Sequence, residues 1–429
     1  MVSLEDLISV KHGFAFKGES IHDDPRGDVL LTPGNFAIGG GFKRGKFKYY
    51  DGPVPEEYVL RAGDLLVTMT DLSKEGDTLG YPAFVPAPTS GRRYLHNQRL
   101  GRVLIKAPSA LDKTFLHYLL CSREYRDEVL ASATGTSIKH TSPERICRFC
   151  FRRPPLTEQR AIAQILCTLD DKIALNRRKN ETLEGMASAI FKDWFVEFGP
   201  TRAKAEGLAP YLAPQIWVLF PDRLDDEDKP EGWKDGCLGD VARTVGESVK
   251  PNEMSSDTPY IGLEHMPRHS IALNGWGAAG KVTSGKLAFH RGDFLFGKLR
   301  PYFHKVGIAP LDGICSTDIL ALGPKTPNAA AFVLSCISSD EFVAYTDQTS
   351  GGTKMPRTSW EVMTRYPLCL PTEQVTQAFQ HAIGPMLDRI ILNIHESTSL
   401  AKTRDLLLPK LMAGEIRLRE SGKSMEAVA

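Results

Sequence analysis

The pattern of apolar and polar positions between Leu156 and Pro200 predicts one long amphipathic helix. Apolar side chains recur there at a heptad spacing, and no proline interrupts the stretch. This spacing is typical of a helix that packs along another helix. The two asparagines of the predicted seam either fix the register and choice of partner or turn toward solvent or another subunit. The predicted seam residues are Leu166, Leu169, Ile173, Asn176, Asn180, Leu183 and Ile190.

A second long helix is predicted near the C-terminus, from about Thr372 to Leu408. Pro409 is expected to end it, because proline lacks the amide hydrogen that a helix interior needs. The pair Gly384-Pro385 predicts a kink or an offset start within it. This helix is expected to be the partner of the first. Its predicted seam residues are Ile383, Met386, Ile390, Asn393, Leu400 and Leu407.

The chain contains an internal repeat with an offset close to 217 residues. Thr141-Ser142 recurs as Thr358-Ser359, and the string Pro-Leu-Thr-Glu-Gln ending at Gln159 recurs as Leu-Pro-Thr-Glu-Gln ending at Gln374. A period this long indicates duplicated domains rather than a solenoid. The predicted order is therefore globular part, long helix, globular part, long helix.

Short apolar and β-branched runs in each globular part predict strands, mixed with a few short helices. Strands are predicted at 65–69, 102–105, 260–263, 293–296 and 319–322, and helices at 113–130 and 329–337. This mixture favours the α+β class. The predicted division is 1–155 and 236–370 for the globular units, 156–200 and 371–413 for the helices, 201–235 for a proline-rich, acidic connector, and 414–429 for a tail.

Composition indicates an ordinary protein of two or three domains but does not identify a binding partner. The 429 residues carry a net charge of +1 and 42% hydrophobic residues, which is ordinary for a protein with two or three domains. No apolar run reaches the 18 or so residues of a membrane span, and no signal peptide is recognisable. The eight cysteines are mostly isolated, which fits a reducing cytoplasm. Cys147 and Cys150 form one C-x-x-C, interpreted as two reduced cysteines on a strand rather than a metal site.

Local motifs for catalysis are weak. Gly40 to Lys46 and Gly280 to Lys286 both fit G-x-x-x-x-G-K, but the next residue is Phe47 or Leu287 where a P-loop needs a hydroxyl. We interpret both matches as coincidence. A stand-alone nuclease or nucleotide hydrolase that uses these lysines remains the alternative hypothesis.

Basic residues interleaved with aromatic residues make several loops candidates for DNA contact, because lysine and arginine bind phosphates and also read base edges. The alternative is that these loops are simply solvated. The first candidate face contains Lys43, Arg44, Lys46, Lys48, Arg92 and Arg93. The second contains Lys281, Lys286, Lys298, Arg300, Tyr302 and Lys305. Two repeated loops add Lys139, His140, Lys354 and Arg357.

Essentially the whole chain resembles a known family, most specifically in the helices and more loosely in the first globular part. The residues that carry the resemblance are Pro155 to Arg160, Leu169 to Ile173 with Asn176, Trp194-Phe195-Val196, Gly292 to Tyr302, and Leu406 to Leu411 followed by Gly414-Glu415-Ile416. Together they resemble the specificity (S) subunit of type I restriction–modification enzymes.

The resemblance implies an architecture and a division of labour. Each globular part would be a target recognition domain that reads one half of a split double-stranded DNA site. The long helices would pack as an antiparallel coiled coil, set the unread spacer and dock two methyltransferase (M) subunits. The chain would hold no catalytic site or cofactor: S-adenosylmethionine would bind the methyltransferases, and ATP with Mg²⁺ the restriction (R) subunits. A scaffold that joins proteins without binding DNA is a third hypothesis.

Overall fold

A computed structural model describes residues 1–45, 47–71, 73, 76–88, 91–136, 138–352 and 355–416, except for the side chain of Lys281. These residues form two compact units. The first unit combines Met1–Asp171 with the chain from Ala401 onward, and the second is Lys172–Leu400. Both long helices therefore pass from one unit to the other along the chain.

The first unit is built from short strands and three short helices. Its helices are α1 (Lys113–Leu119), α2 (Arg123–Ala131) and α3 (Pro143–Cys147). Its strands are β1 (Val2–Ser3), β2 (Ile8–His12), β3 (Ile21–His22), β4 (Asp28–Leu31), β5 (Lys48–Tyr50), β6 (Val59–Leu60), β7 (Leu65–Thr68), β8 (Thr70–Asp71), β9 (Pro82–Phe84), β10 (Tyr94–His96), β11 (Leu100–Ile105), β12 (Lys139–His140) and β13 (Cys150–Phe151).

Two long helices and several shorter elements complete the chain. The helices are α4 (Leu156–Phe191), α5 (Gly199–Ala205), α6 (Pro214–Trp217), α7 (Leu238–Val241), α8 (Ala330–Ile337), α9 (Asp340–Gln348), α10 (Trp360–Met363) and α11 (Glu373–Ala413). The strands are β14 (Lys234–Cys237), β15 (Ala242–Thr244), β16 (Glu247–Val249), β17 (Pro259–Ile261), β18 (Gly277–Ala278), β19 (Lys286–Phe289), β20 (Phe294–Gly297), β21 (Val306–Ile308), β22 (Gly313–Cys315), β23 (Ile319–Pro324) and β24 (Pro367–Leu370).

The same sheet topology occurs in both units. The first has a four-stranded sheet in the order β2-β11-β7-β9, and the second has β15-β23-β20-β21 in the same sense. A second sheet contains β6-β10-β4-β5 in the first unit and β19-β22-β17-β18 in the other, each with a parallel central pair. The mixed α+β class is confirmed, and the sequence repeat corresponds to a repeated fold.

The ends of several helices differ from the sequence prediction. The predicted helix 113–130 is two helices, because Ser122 accepts a hydrogen bond from the Tyr125 amide and starts α2 anew. The last helix does not stop before Pro409 but runs to Ala413, and it is continuous through Gly384-Pro385. Burial explains both, because Ile383 and Leu387 anchor the helix on either side of Pro385 and Leu411 is buried beyond Pro409. Tertiary packing thus outweighs the lost amide hydrogen bond.

In the second unit the long helices run antiparallel. The amide of Asn393 donates to Asn180 Oδ1 at 2.8 Å, and that of Asn176 donates to Glu396 Oε2 at 2.8 Å. The partner numbers fall as the α4 numbers rise, which defines opposite chain directions. In the first unit Arg404 pairs with Asp170 at 2.6 Å. Leu166, Ile173, Asn176, Asn180, Ile383, Ile390 and Asn393 of the predicted seam are buried; Leu169, Leu183, Ile190, Met386, Leu400 and Leu407 are half-buried.

The segment predicted to be a connector contributes to a core. Phe220 and Trp233 are buried with Trp194 and Phe195 of the segment that follows α4, where Lys192–Val196 widens into a π-helical turn. The described cysteines are all free. The expectation that Cys147 and Cys150 share a strand is wrong, since the buried Cys147 ends α3 and only the exposed Cys150 lies on a strand.

Candidate nucleic-acid interface

One backbone arrangement occurs in both units where the central strand of the four-stranded sheet ends. In the first unit the Met69 amide donates to the Arg99 carbonyl at 2.9 Å, and the Thr141 amide donates to the Met69 carbonyl at 3.0 Å. In the second unit the Lys298 amide donates to the Asp318 carbonyl at 2.9 Å, and that of Thr358 to Lys298 at 3.0 Å. We call this arrangement the strand-exit frame: residues 69–71, 99 and 139–142 in one unit, and 298–300, 318 and 356–359 in the other.

The frame is fixed on both sides by local sequence. Ser142 and Ser359 cap α3 and α10 by accepting a hydrogen bond from an amide three residues on. Gly135 and Gly352 both have φ of +94°, a conformation that glycine adopts without strain. The repeated glycines and serine caps therefore fix the two ends of the corresponding loop in each unit.

The side chains on this shared frame differ sharply in charge. Asp71 in the first unit occupies the position of Arg300 in the second, and Arg99 occupies the position of Asp318. His140, whose Nδ1 lies 3.1 Å from Thr70 Oγ1, corresponds to Arg357. The duplication therefore conserves the backbone within this chain while the charge is reversed at two positions.

In the second unit the frame presents cations beside aromatic rings. Arg300 has φ of +53°, and its Nε is buried without a hydrogen-bond partner among the described residues. Its guanidinium carbon lies 5.9 Å from the centre of the Phe303 ring, on which Arg268 stacks at 3.9 Å. Tyr302 is 48% exposed. Arg357 donates to Asp318 at 2.7 Å, which orients its guanidinium. Cations and exposed aromatic rings together suit phosphates and base edges.

Other predicted contacts in this unit have internal partners. Lys286 is buried on β19, and its ammonium donates to Ser284 Oγ at 2.7 Å. Lys305 is half-buried and donates to the Leu263 carbonyl, and burial together with nearby Arg268 lowers its pKa. Both placements argue against phosphate contact. Lys298 is half-buried on the frame. Lys354 and the side chain of Lys281 lie outside the described residues.

Two of the described candidates in the first unit, Lys48 and Arg93, form ion pairs with carboxylates. Lys43 and Arg44 are exposed, and Lys46 lies outside the described residues. Lys48 pairs with Asp23 at 2.7 Å. Arg93 is held by Asp28 at 2.6 Å and by Glu56, and its hydrogen bond to Asp28 raises its pKa.

The remaining candidates of this unit surround its loops. Arg92 donates to the Pro25 carbonyl at 3.0 Å, with its guanidinium carbon 5.5 Å from the centre of the Tyr49 ring. Lys139 and His140 form β12 beside Asp71, and His140 is exposed. Asp71 is 5% exposed, and burial would raise its pKa, but hydrogen bonds from Thr78 and Ser73 outweigh burial and lower it. A charged Asp71 thus organises its own loop.

Sequence reasoning left two basic residues out of its candidate faces. Arg268 is exposed in a loop with no other basic residue except the flanking histidine, and only its stacking on Phe303 places it beside Arg300. Arg99 is exposed on the turn that enters β11, and its place on the frame follows only from backbone pairing.

The geometry around Lys286 does not support the P-loop hypothesis. Lys286 lies on a strand with its ammonium turned to its own loop, rather than at the head of a helix where a phosphate would bind. Leu287, the next residue, has no hydroxyl to hold a metal. Among the described residues, His269, His304 and Asp340 form a group with the spacing of metal ligands. None of the three belongs to either glycine-rich string.

Comparisons with known proteins point to one family. A family model described as the type I restriction modification DNA specificity domain matches residues 1–185. The MjaIX specificity subunit of Methanocaldococcus jannaschii is 24% identical over 80% of this chain and 76% of its own length. The HindI specificity subunit of Haemophilus influenzae is 24% identical over 70% of this chain and 77% of its own. The chain is therefore similar to the specificity subunits of type I restriction enzymes.

A solved structure agrees with this similarity at the level of the fold. The crystal structure of a type I restriction–modification S subunit from M. genitalium matches 96% of this chain and 95% of its own, with a TM-score of 0.55 and 15% identity. The EcoDI specificity subunit of Escherichia coli is 26% identical over 73% of this chain and 72% of its own length. None of the helices that the structure describes is long and apolar enough to cross a lipid bilayer.

Proposed function

We propose that this chain is a specificity subunit that reads a split double-stranded DNA site, with one globular part for each half-site. The observation that carries this proposal is the strand-exit frame. One backbone scaffold, held by the same caps and glycines, presents Arg300 and Arg357 in one unit and Asp71, His140 and Arg99 in the other. Two readers with one scaffold and different side chains suit two half-sites of different sequence.

The chemistry of the second unit indicates the kind of bases it reads. Arg357 is oriented by Asp318, and Arg300 is held in a left-handed backbone conformation with its Nε unpartnered. A guanidinium held in a fixed direction matches the O6 and N7 acceptors of guanine in the major groove. We therefore expect at least one guanine in the half-site read by this unit. Lys298, Arg268 and Tyr302 then contact phosphates and sugars beside it.

The long helices serve the partner proteins and the spacing. The exposed faces of α4 and α11 are available for two methyltransferase subunits, because only one face of each helix is used by the described seam. Those subunits bring S-adenosylmethionine, and restriction subunits bring ATP with Mg²⁺. The chain itself acts in recognition rather than catalysis, in the cytoplasm where its DNA target lies.

The proposal is tested by a methylation map. The chain is co-expressed with a methyltransferase subunit of its own system, and modified adenines are located across the host genome by single-molecule sequencing. We expect two short half-sites around a fixed unread gap. An intact complex that leaves no new methylation would contradict the proposal and favour the scaffold hypothesis.

The assignment of half-sites is tested with paired variants in the same assay. Arg300→Ala should change or relax the bases of one half-site only. Lys43→Ala with Arg44→Ala should affect the other half-site or the overall level. Arg365→Ala, at an exposed arginine away from the frame, is the control and should leave the map unchanged. ATP hydrolysis or DNA cleavage by the purified chain alone would instead support the enzyme hypothesis.

A further inference from the structure

Three side chains from separate segments of the second unit converge on one point. His269 lies in the loop after β17, His304 follows the turn Pro301–Phe303, and Asp340 begins α9. One ligating atom from each lies within 4.8 Å of the other two. We propose that these three residues bind a divalent transition-metal ion of the zinc class, with water completing the coordination.

The contacts of His304 leave one of its ring nitrogens facing a carboxylate. Its Nε2 lies 2.9 Å from the Ser338 carbonyl oxygen, which only accepts, so Nε2 carries a proton. Its Nδ1 lies 3.2 Å from a carboxylate oxygen of Asp340. Either a proton or a metal ion lies between these two atoms, because two acceptors that face each other repel. His269 adds a second nitrogen ligand at the same point, which a proton alone would not need.

The spacing and the second layer of contacts fit zinc-like coordination. In a tetrahedral site with metal–ligand distances of about 2.0–2.2 Å, neighbouring ligand atoms are separated by roughly 3.3 Å, close to the separation of His304 Nδ1 and Asp340. A metal-bound histidine usually donates its other ring N–H to a carbonyl or carboxylate, as His304 does. Two imidazoles with one carboxylate favour zinc, cobalt or nickel over magnesium or calcium, which prefer oxygen ligands alone.

The backbone holds the two histidines in an uncommon conformation. His269 and His304 have φ of +52° and +48°, in the left-handed region that non-glycine residues seldom adopt. The His269 amide donates to the His304 carbonyl at 3.0 Å, and the ring centres are 4.5 Å apart. Such strain persists where the surrounding structure enforces it, and it is concentrated at functional sites.

The position of the site gives it a consequence, which rests on the proposed function. His304 directly follows the turn that carries Tyr302 and Phe303, next to Arg300. A metal ion would tie this turn to α9 and to the loop of Arg268. Preorganising the two arginines in this way should strengthen DNA binding, because less ordering is then needed when DNA binds.

The experiment is a cobalt titration of the full, untagged chain after removal of metal by a chelator. The background carries Cys150→Ser, since an exposed thiol also binds such ions. We expect one equivalent of Co²⁺ to produce visible absorption without thiolate charge-transfer bands, and to be displaced by Zn²⁺. His269→Ala and Asp340→Asn should each weaken binding at least tenfold. Both residues are exposed, so neither change empties a core.

The matched control is His290→Ala, which removes a second histidine close to a carboxylate but without a third ligand. His290 Nδ1 lies 3.6 Å from Asp312 on the surface of the same unit. This variant should bind Co²⁺ as the parent does. No uptake by the parent, or equal uptake by His269→Ala, would overturn the metal site and leave a protonated His304–Asp340 pair.

DNA binding is then measured with and without one equivalent of Zn²⁺. If Zn²⁺ raises the DNA affinity of the parent but not that of His269→Ala, the result supports ordering of the turn by the metal ion. Equal affinity of the parent with and without Zn²⁺ contradicts this effect. If no DNA binds in any form while Co²⁺ binding follows the three ligands, the proposed function fails and the metal site stands.

Discussion

Arg300 is the residue on which the proposed DNA interface depends most. Its backbone has a left-handed conformation, and its Nε has no hydrogen-bond partner among the described residues. No hydrogen bond from Nε within the described chain therefore explains why an arginine stands at this position. We predict that Arg300→Ala weakens binding to the cognate site by about 1–3 kcal/mol and lowers the slope of log affinity against log salt by about 1 if the residue also neutralises a phosphate. Fluorescence anisotropy over a salt series measures both.

Arg365→Ala is the control for the salt series, because Arg365 is exposed in the same unit but lies off the frame. An equal loss in both variants would show a general charge effect and remove Arg300 from the interface. Arg300→Lys separates phosphate neutralisation from base recognition. Lysine keeps the positive charge but lacks the planar guanidinium, so the salt slope should match that of the parent chain while discrimination between bases stays reduced.

A second prediction at this scale concerns acid stability. His117 is half-buried with its ring stacked on Phe84, and burial lowers its pKa to about 4 from the ordinary 6.5. The unfolded chain therefore binds a proton at this site near pH 6.5, while the folded chain does so only near pH 4. Stability is fully present above pH 6.5 and falls as the pH drops through that window, by up to about 3 kcal/mol.

Urea denaturation at several pH values measures this loss. His117→Phe should flatten the dependence between pH 6.5 and 4, leaving the share of His96, whose burial also lowers its pKa to about 4. His381→Phe, at an exposed histidine, should not change the dependence. An unchanged profile in His117→Phe would show that His117 is accessible to protons in the folded chain.

Residue-scale chemistry was the least predictable from sequence. Lys286 and Arg300 both occur in basic strings next to glycines. The ammonium of Lys286 donates to Ser284 in its own loop, whereas Arg300 lies on the strand-exit frame. Burial and hydrogen-bond partners decide between these fates, and neither is encoded in local composition. The stacking of Arg268 on Phe303 depends on two loops that meet only in the folded unit.

At the scale of elements, the buried asparagine pair in the helix seam makes the clearest prediction. Asn180 and Asn393 are 3% and 2% exposed and bond to each other. Asn393→Leu alone leaves the Asn180 amide buried without this partner, which should cost about 1–3 kcal/mol. Replacing both by leucine should recover that loss or exceed it, while weakening the preference for one register.

A double-mutant cycle in urea measures the coupling between the two asparagines. Gln164→Leu adds similar apolar surface at an exposed position of α4 and should change stability little. Additive effects of the two asparagine changes would contradict a direct energetic role for the hydrogen bond.

The elements themselves were largely predictable, and the failures lie at the ends of helices. The heptad spacing identified both long helices, and the β-branched runs identified the central strands. Local signals gave the wrong ends: Pro409 was expected to stop a helix that Leu411 holds in place, and one helix was predicted across the cap at Ser122. Burial of distant partners decided the first case and a single hydroxyl the second.

At the scale of the whole molecule, the duplication was visible in sequence because short loop motifs and helix starts recur at nearly the same offset, 217 residues from Thr141 to Thr358 and 215 from Gln159 to Gln374. The reversed charges on the frame were not visible, because the strands before them align at a different offset from the loops after them. Thr70 pairs with His140 and Leu299 with Arg357, and these two pairs show which positions are equivalent. The backbone thus records the common origin more fully than the side chains do.

The last prediction concerns the gap between the half-sites. If the helices set it, one heptad added to each should lengthen it, and seven residues keep the seam in phase. The insertions belong between Asp171 and Lys172 and between Leu400 and Ala401, where the chain passes from one unit to the other. Each adds about 10 Å of helix, or roughly three base pairs at about 3.4 Å per pair.

Methylation mapping of the doubly extended chain should show the original two half-sites around a gap longer by up to three base pairs. An insertion in α4 alone is the control, and it should abolish methylation, because the pairs Asp170–Arg404 and Asn176–Glu396 flank the insertion and could no longer form at the same time. An unchanged gap in an active, doubly extended complex would mean that the methyltransferase subunits fix the spacing, and the helices would then be docking elements only.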